Sequence, residues 1–331
     1  MKPLGPLLGL LVGLLGGTGC CHFAAKPLAT RPPPLPAFTA AEFAHTNGGR
    51  ATLSETVLET NAQFTVRRVE LAAPPRLAET SRTIRFDCYL PVRKGLAPVI
   101  LVLPVSGGDY ELERHFAKHF VRHGLAALVM HREKQPPGPV RLEDFDPSLR
   151  RSVFDHKCVL DWAEVQPELD ERRIGVFGVS LGGIKGALLV ALDARVRAAV
   201  LGLAGSDLPF ILTHTTEHSI ARQREAVLRE RRWTPEQLQR ELRQAITSDP
   251  LFHAAYADPR KVLLVLAACD SVVPFKKGWE LRAKMDRPET IVVPAGHYSA
   301  LVFVPYIRHA AVGFFREKLA IGAAAKPAAG K

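Results

Sequence analysis

Metal-ligand and dinucleotide-binding patterns are missing from this 331-residue chain. Its five cysteines include no pair spaced as in a zinc site, and no His-Glu-x-x-His run occurs. Gly107-Gly108 and Gly182-Gly183 lack the surrounding glycines of a dinucleotide fingerprint. His115, His119 and His123 recur every four positions beside Phe116 and Phe120. Three histidines strung over more than two helical turns do not converge on one ion, so a structural or surface role is expected. No metal or cofactor is therefore expected. The net charge of +11 comes without an aromatic-interleaved basic track, which excludes a motif-based case for nucleic acid. It reads as solvated surface charge, with an anionic membrane or cell-wall surface as the partner it would otherwise favour. With 47% hydrophobic and 23% charged residues, the body has enough apolar side chains for one large domain.

The N-terminus differs in character from the rest. Met1-Lys2 leads into an apolar run from Leu4 to Leu15, then Gly16-Gly17-Thr18-Gly19-Cys20. That run is too short for an ordinary membrane span and suits a secretory signal over residues 1–19, so export is expected. No Ala-x-Ala ending stands where a soluble secretory signal would be cut. Thr18-Gly19-Cys20 instead resembles the end of a bacterial lipoprotein signal, although Gly17 stands where that pattern prefers Leu. The resemblance implies membrane attachment through a lipidated Cys20 in the cell envelope or periplasm. A soluble secreted enzyme and a retained N-terminal anchor are the alternatives. Residues 20–50, Pro/Ala-rich between Ala24 and Ala37, read as a tether or linker ahead of a domain over 51–331. Cys88 continues an inward series Ile84, Phe86, Cys88, Leu90, and Cys158 lies one helical turn after Phe154; both read as core thiols.

Strands are expected over Thr56–Val69 and Arg82–Leu90 as an antiparallel edge, then at Pro98–Leu103, Leu125–Met130, a segment ending at Phe177, Val196–Leu201, Val262–Ala267 and Thr290–Val293. Helices fit Tyr110–Arg122 and Leu149–Val165. The alternation implies an α/β fold with a predominantly parallel central sheet and helices on both faces. Residues 208–248 interrupt the rhythm. Thr234, Pro235 and Gln237 form a capping-box start, and Leu238, Leu242, Ala245 and Ile246 make an apolar stripe with Arg240 and Arg243 on the wet side. This small helical insertion is expected as a lid, with an ordinary surface subdomain as the alternative.

Gly178-Val179-Ser180-Leu181-Gly182-Gly183 follows an apolar strand and precedes a helical pattern. Such a turn lifts a serine hydroxyl above the sheet, and its neighbours two before and two after must be small. Asp270 follows a late apolar strand, and His297 follows the last one. Each has a plainer role on its own: Ser180 or Asp270 as a helix cap, His297 as a loop residue. Together, in the order Ser, Asp, His, they resemble the α/β-hydrolase family from about Thr56 to Leu319. The resemblance implies Ser180 as nucleophile, His297 as base and Asp270 as its orienting acid. It also implies oxyanion donors from the backbone of Leu181 and from the loop Pro104–Asp109, with Gly108 favoured and Gly107 in reserve. Ser106-Gly107 stands in that loop where the family commonly has His-Gly. The substrate is expected to be a small-molecule carboxylic ester, its acyl group bound by Phe210, Ile211 and Leu212 of the lid. An exported peptidase, an acyltransferase and a noncatalytic envelope protein are the other readings.

Overall fold

Strands buried on both faces form the centre of the molecule. The computed structural model describes residues 20–25, 32–44, 51–73, 82–132 and 144–320, so the expected signal over 1–19 lies outside the described residues. In chain order the strands are β1 (Cys21–Phe23), β2 (Thr52–Thr60), β3 (Phe64–Ala72), β4 (Thr83–Pro91), β5 (Ala97–Leu103), β6 (Ala126–Met130), β7 (Leu169–Val179), β8 (Val196–Gly202), β9 (Val262–Ala267) and β10 (Glu289–Val293). They form one sheet in the order β1-β10-β9-β8-β7-β5-β6-β4-β3-β2. From β10 to β6 neighbours run parallel, whereas β1 at one edge and β4, β3 and β2 at the other are antiparallel. The expected α/β architecture is present.

The period-two alternation of a strand divides the core into two layers. In β5, Val99, Leu101 and Leu103 join one apolar cluster, while Ile100 and Val102 join the other. The helices of six residues or more are α1 (Ala37–Glu42), α2 (Glu111–Arg122), α3 (Phe145–Glu164), α4 (Leu181–Leu192), α5 (Leu208–His214), α6 (His218–Arg231), α7 (Pro235–Ala245), α8 (Phe275–Lys284) and α9 (Val304–Lys318). Side chains of α3, α4, α5 and α7 pack into the first cluster, and those of α2 and α9 into the second. Cys88 and Cys158 are both buried in the first cluster. No helix of the described residues is long and apolar enough to cross a membrane.

Two expectations need correction. The stretch Thr56–Val69 is not one strand but parts of the β2–β3 hairpin. Asn61 accepts from the Gln63 and Phe64 N–H groups at 2.9 and 3.1 Å, offering the backbone a turn in place of the ladder. The expected tether is also partly built into the body. Cys21–Phe23 pair antiparallel with β10, in the register Cys21 with Val292 and Phe23 with Thr290. That pairing covers an otherwise bare sheet edge. Further on, α1 delivers Phe43, 1% exposed, into the first core cluster, where Lys157 donates to its carbonyl at 2.9 Å.

The insertion is three helices. Thr234 and Gln237 close the capping box at the start of α7, with Pro235 in its first turn. Leu238, Leu242 and Ile246 are buried, Ala245 is exposed, and Arg240 and Arg243 stay on the surface. The insertion is fastened at its base, where Asp249 accepts from the Asp207 and Leu208 N–H groups.

Phe43→Ala should lower the unfolding free energy by about 3–5 kcal/mol in urea titrations, the usual cost of a deleted core ring. A freely hanging tether would give no measurable change.

Candidate active site

The turn at Ser180 depends on missing side-chain atoms. Ser180 joins β7 to α4 at φ +56° and ψ −122°, a backbone state that L residues rarely adopt. A Cβ on Gly178 would lie 2.3 Å from the Gly182 carbonyl oxygen, and one on Gly182 would lie 2.4 Å from that of Leu103. Only glycine allows these approaches. The Ser180 N–H donates to the Gly202 carbonyl at 2.8 Å, which ties the turn to β8.

Asp270 leaves the end of β9 and divides its carboxylate between two tasks. Its Oδ1 accepts from the Val272 and Val273 N–H groups at 2.9 and 3.0 Å. Its Oδ2 accepts from His297 Nδ1 at 2.7 Å, and His297 Nε2 lies 3.0 Å from Ser180 Oγ. Asp270 does not cap α8, whose start carries no side-chain cap bond; one oxygen closes the turn ahead of that helix while the other holds the imidazole. Ser180 makes no side-chain cap bond to α4. His297 sits in the loop after β10, where Ser299 Oγ accepts from the Gly296 N–H at 2.9 Å. The arrangement places a base within reach of a hydroxyl and a nearly buried carboxylate behind that base.

A guanidinium organises the facing loop. Arg132, two residues past β6, donates through Nη1 to the carbonyls of Val105 and Gly107 at 3.2 and 2.9 Å, and through Nη2 to that of Gly108. Its plane lies 4.1 Å from the Tyr110 ring centre, and its own N–H donates to the Tyr110 hydroxyl at 2.8 Å. Buried Glu113 accepts from the Val105 N–H at 2.8 Å. In a trans peptide C=O and N–H point opposite ways, so a Gly107 carbonyl held by Arg132 turns the Gly108 N–H away from Arg132. Gly107 and Gly108 line one cavity with Ser180. Leu181 is the first residue of α4, so its N–H is among those without an intrahelical acceptor.

That cavity has a volume of about 410 Å³. Leu112 and Phe116 of α2, Phe177, Val200 and Val265 from the strands, and Leu301, Val304 and Ile307 near the C-terminus form apolar walls. The expected acyl contacts are elsewhere. Ile211 and Leu212 are buried in the first core cluster, and Phe210 stacks on His214 with ring centres 3.8 Å apart under the ammonium of Lys276. Fastening by Asp249 turns the apolar face of α5 into the core instead of over Ser180. The insertion supplies only Glu217 to the described cavity wall. Burial opposes ionisation of Glu217, but bonds from Ser219 and the Ile220 N–H outweigh it and hold the carboxyl below its ordinary range.

Sequence reasoning missed Arg132, Glu217 and the apolar walls of the cavity beside Ser180. Leu112 and Phe116 are spaced four apart on an amphipathic helix, which reads equally as a core face. A charged residue just past the carboxyl end of a parallel strand was the available signal for Arg132. His119 and His123 lie with ring centres 4.4 Å apart on α2, and burial, then the charges of His123 and Arg308, lower His119 to about 4. Among the described residues no group of three or more His, Cys, Asp or Glu side chains is placed to hold a metal ion.

No family model and no curated protein matches this chain. Solved structures do. An acetyl xylan esterase from Paenibacillus sp. R4 superposes with a TM-score of 0.66 at 18% identity, covering 88% of this chain and 97% of that one. An α/β hydrolase from Penicillium sp. sh18 gives 0.56 at 16% identity over 77% of this chain and 99% of that one. Acetyl xylan esterase 1 from Thermoanaerobacterium sp. JW/SL YS485 gives 0.54 at 18% identity over 83% and 98%. The chain has the α/β-hydrolase fold.

Gly182→Ala should cost about 1–3 kcal/mol or more in chemical denaturation, because the obstructing atom is backbone that cannot swing aside. Gly107→Ala, whose Cβ meets nothing within 4 Å, is the matched control and should stay within about 0.5 kcal/mol of the parent.

Proposed function

We propose that this α/β-hydrolase-fold protein is an exported serine hydrolase cleaving carboxylic esters of apolar acyl groups through an acyl-Ser180 intermediate. The continuous path from Asp270 Oδ2 through His297 to Ser180 Oγ, at 2.7 and 3.0 Å, carries the reading. His297 Nε2 takes the Ser180 proton as Oγ attacks the carbonyl carbon, and Asp270 stabilises the imidazolium that results. The Leu181 and Gly108 N–H groups, with Gly107 in reserve, receive the developing oxyanion. Collapse expels the alcohol with the proton returned from His297, and water repeats the sequence to release the acid.

The neighbours named as acetyl xylan esterases support ester chemistry. An acetyl group would leave most of the 410 Å³ cavity empty, so the wall composition favours a longer or bulkier apolar acyl group. Glu217 at that wall disfavours an acyl group ending in a carboxylate. Residues 1–19 support export, and Cys20 supports attachment to the cell envelope as a lipoprotein.

Ser180→Ala should abolish turnover of p-nitrophenyl esters while circular dichroism and the unfolding midpoint stay near the parent's. In the parent, kcat/KM should climb about fourfold per added methylene, from about 0.8 kcal/mol each, until the cavity is filled. Phe210→Ala should leave that profile unaltered. A profile highest at acetate would remove the apolar-acyl assignment, and peptide cleavage without ester turnover would transfer the protein to the peptidases. Arg132→Ala should lower kcat on the order of a hundredfold with KM little changed, since donor placement acts in the transition state. Arg132→Lys should recover little, because one ammonium cannot span three carbonyls.

A further inference from the structure

The strand register fixes where the N-terminal extension leaves the body. Because β1 runs antiparallel to β10 with Cys21 opposite Val292, Cys20 is level with the carboxyl end of β10, which leads through Gly296 to His297. Cys20 therefore stands on the catalytic edge of the sheet. Four strand spacings separate β1 from β7, so it lies roughly 20 Å along that edge from Ser180. The Pro/Ala-rich stretch follows this point in the chain and puts no slack between an anchor and the sheet. Only Gly16 to Gly19 separate the apolar run from Cys20, and four residues span at most roughly 14 Å.

The same edge carries an exposed apolar rim. Tyr298, Leu301, Val302 and Tyr306, 63%, 58%, 78% and 45% exposed, lie on consecutive turns after His297. Tyr298 and Leu301 also line the cavity, so the rim is continuous with its mouth. A patch of large apolar side chains around a pocket entrance needs a nonaqueous partner to be favourable. Both ways of holding the chain at a membrane, an acyl group on Cys20 or a retained apolar run, bring this rim to the bilayer.

We infer that the catalytic edge is the membrane-facing surface, with the 298–306 rim seated on the lipid bilayer so that apolar acyl chains pass from the bilayer into the cavity. The acyl-transfer part of this inference rests on the proposed ester hydrolysis; the seating does not. Tyrosines at 298 and 306 suit the interface, where a ring is buried and its hydroxyl stays wet. The net charge of +11 favours an anionic bilayer.

The test uses the full chain and vesicles of phosphatidylethanolamine and phosphatidylglycerol, with and without brominated acyl chains. Val302→Trp should float with the vesicles and lose most of its added emission to the bromines. A Val302→Asp, Tyr306→Asp double variant should hydrolyse a soluble short ester at the parent rate but an ester dissolved in the vesicles about tenfold more slowly, equivalent to about 1.4 kcal/mol. An unquenched tryptophan on floating protein would overturn the inference, as would a chain that does not bind the vesicles. Burial of the Val302→Trp ring through self-association without lipid would assign the rim to a second copy and equally overturn it. Quenching in a protein that turns over no ester would uphold the seating and defeat the hydrolase reading alone.

Discussion

The geometry of the candidate site depends on backbone packed against backbone at the turn that carries Ser180. Gly178 meets Gly182, and Gly182 meets Leu103, at separations that leave no room for a Cβ. Packed this tightly, β5, β7 and the first turn of α4 hold Ser180 in a conformation it would leave if unconstrained. The strain is local, and the parallel sheet supports it: the Ser180 N–H is bound by β8, and the strands on either side are buried on both faces. Everything else at the site is arranged around a hydroxyl whose position is already settled.

Three loops then supply what the hydroxyl needs, each held by a different device. The acid loop uses one carboxylate oxygen to fasten itself and frees the other for the imidazole. A serine hydroxyl pins the backbone before the base. The loop bearing Gly107 and Gly108 is held from behind by a guanidinium bonded to its carbonyls. In each case the fixing bonds go to backbone: Asp270 fastens its own loop, whereas Ser299 and Arg132 hold loops that carry other site groups. Such arrangement before the substrate arrives is what lets aimed dipoles stabilise a developing charge without reorganising.

The three residues brought together by hydrogen bonds were legible because they follow strands, and strand ends are marked by where an apolar run stops. Ser180, Asp270 and His297 all sit just beyond such runs. The parallel strands were legible for the same reason, as short continuous apolar segments. Tertiary direction was not. The apolar residues Phe210, Ile211 and Leu212 were visible, but the Asp249 bonds that rotate α5 toward the core join residues some forty positions apart. Arg132 was hidden because its acceptors are carbonyls, which every residue has. The β2–β3 turn was hidden in a run without glycine or proline, where Asn61 alone makes the break. The pairing of β1 was hidden inside the tether reading because composition reports stiffness and says nothing about three residues that fit a sheet edge.

The short strand β1 has a consequence for the solubility of the isolated protein. Its three residues shield part of the outer row of β10 N–H and C=O groups. A chain begun at residue 24, trimmed as though everything earlier were disposable leader, would present that row to solvent beside the apolar side chains of Ile291 and Val293. An unprotected parallel-sheet edge is a template for pairing between molecules. Removing a supposedly floppy extension would then produce the aggregation that such trimming is meant to prevent.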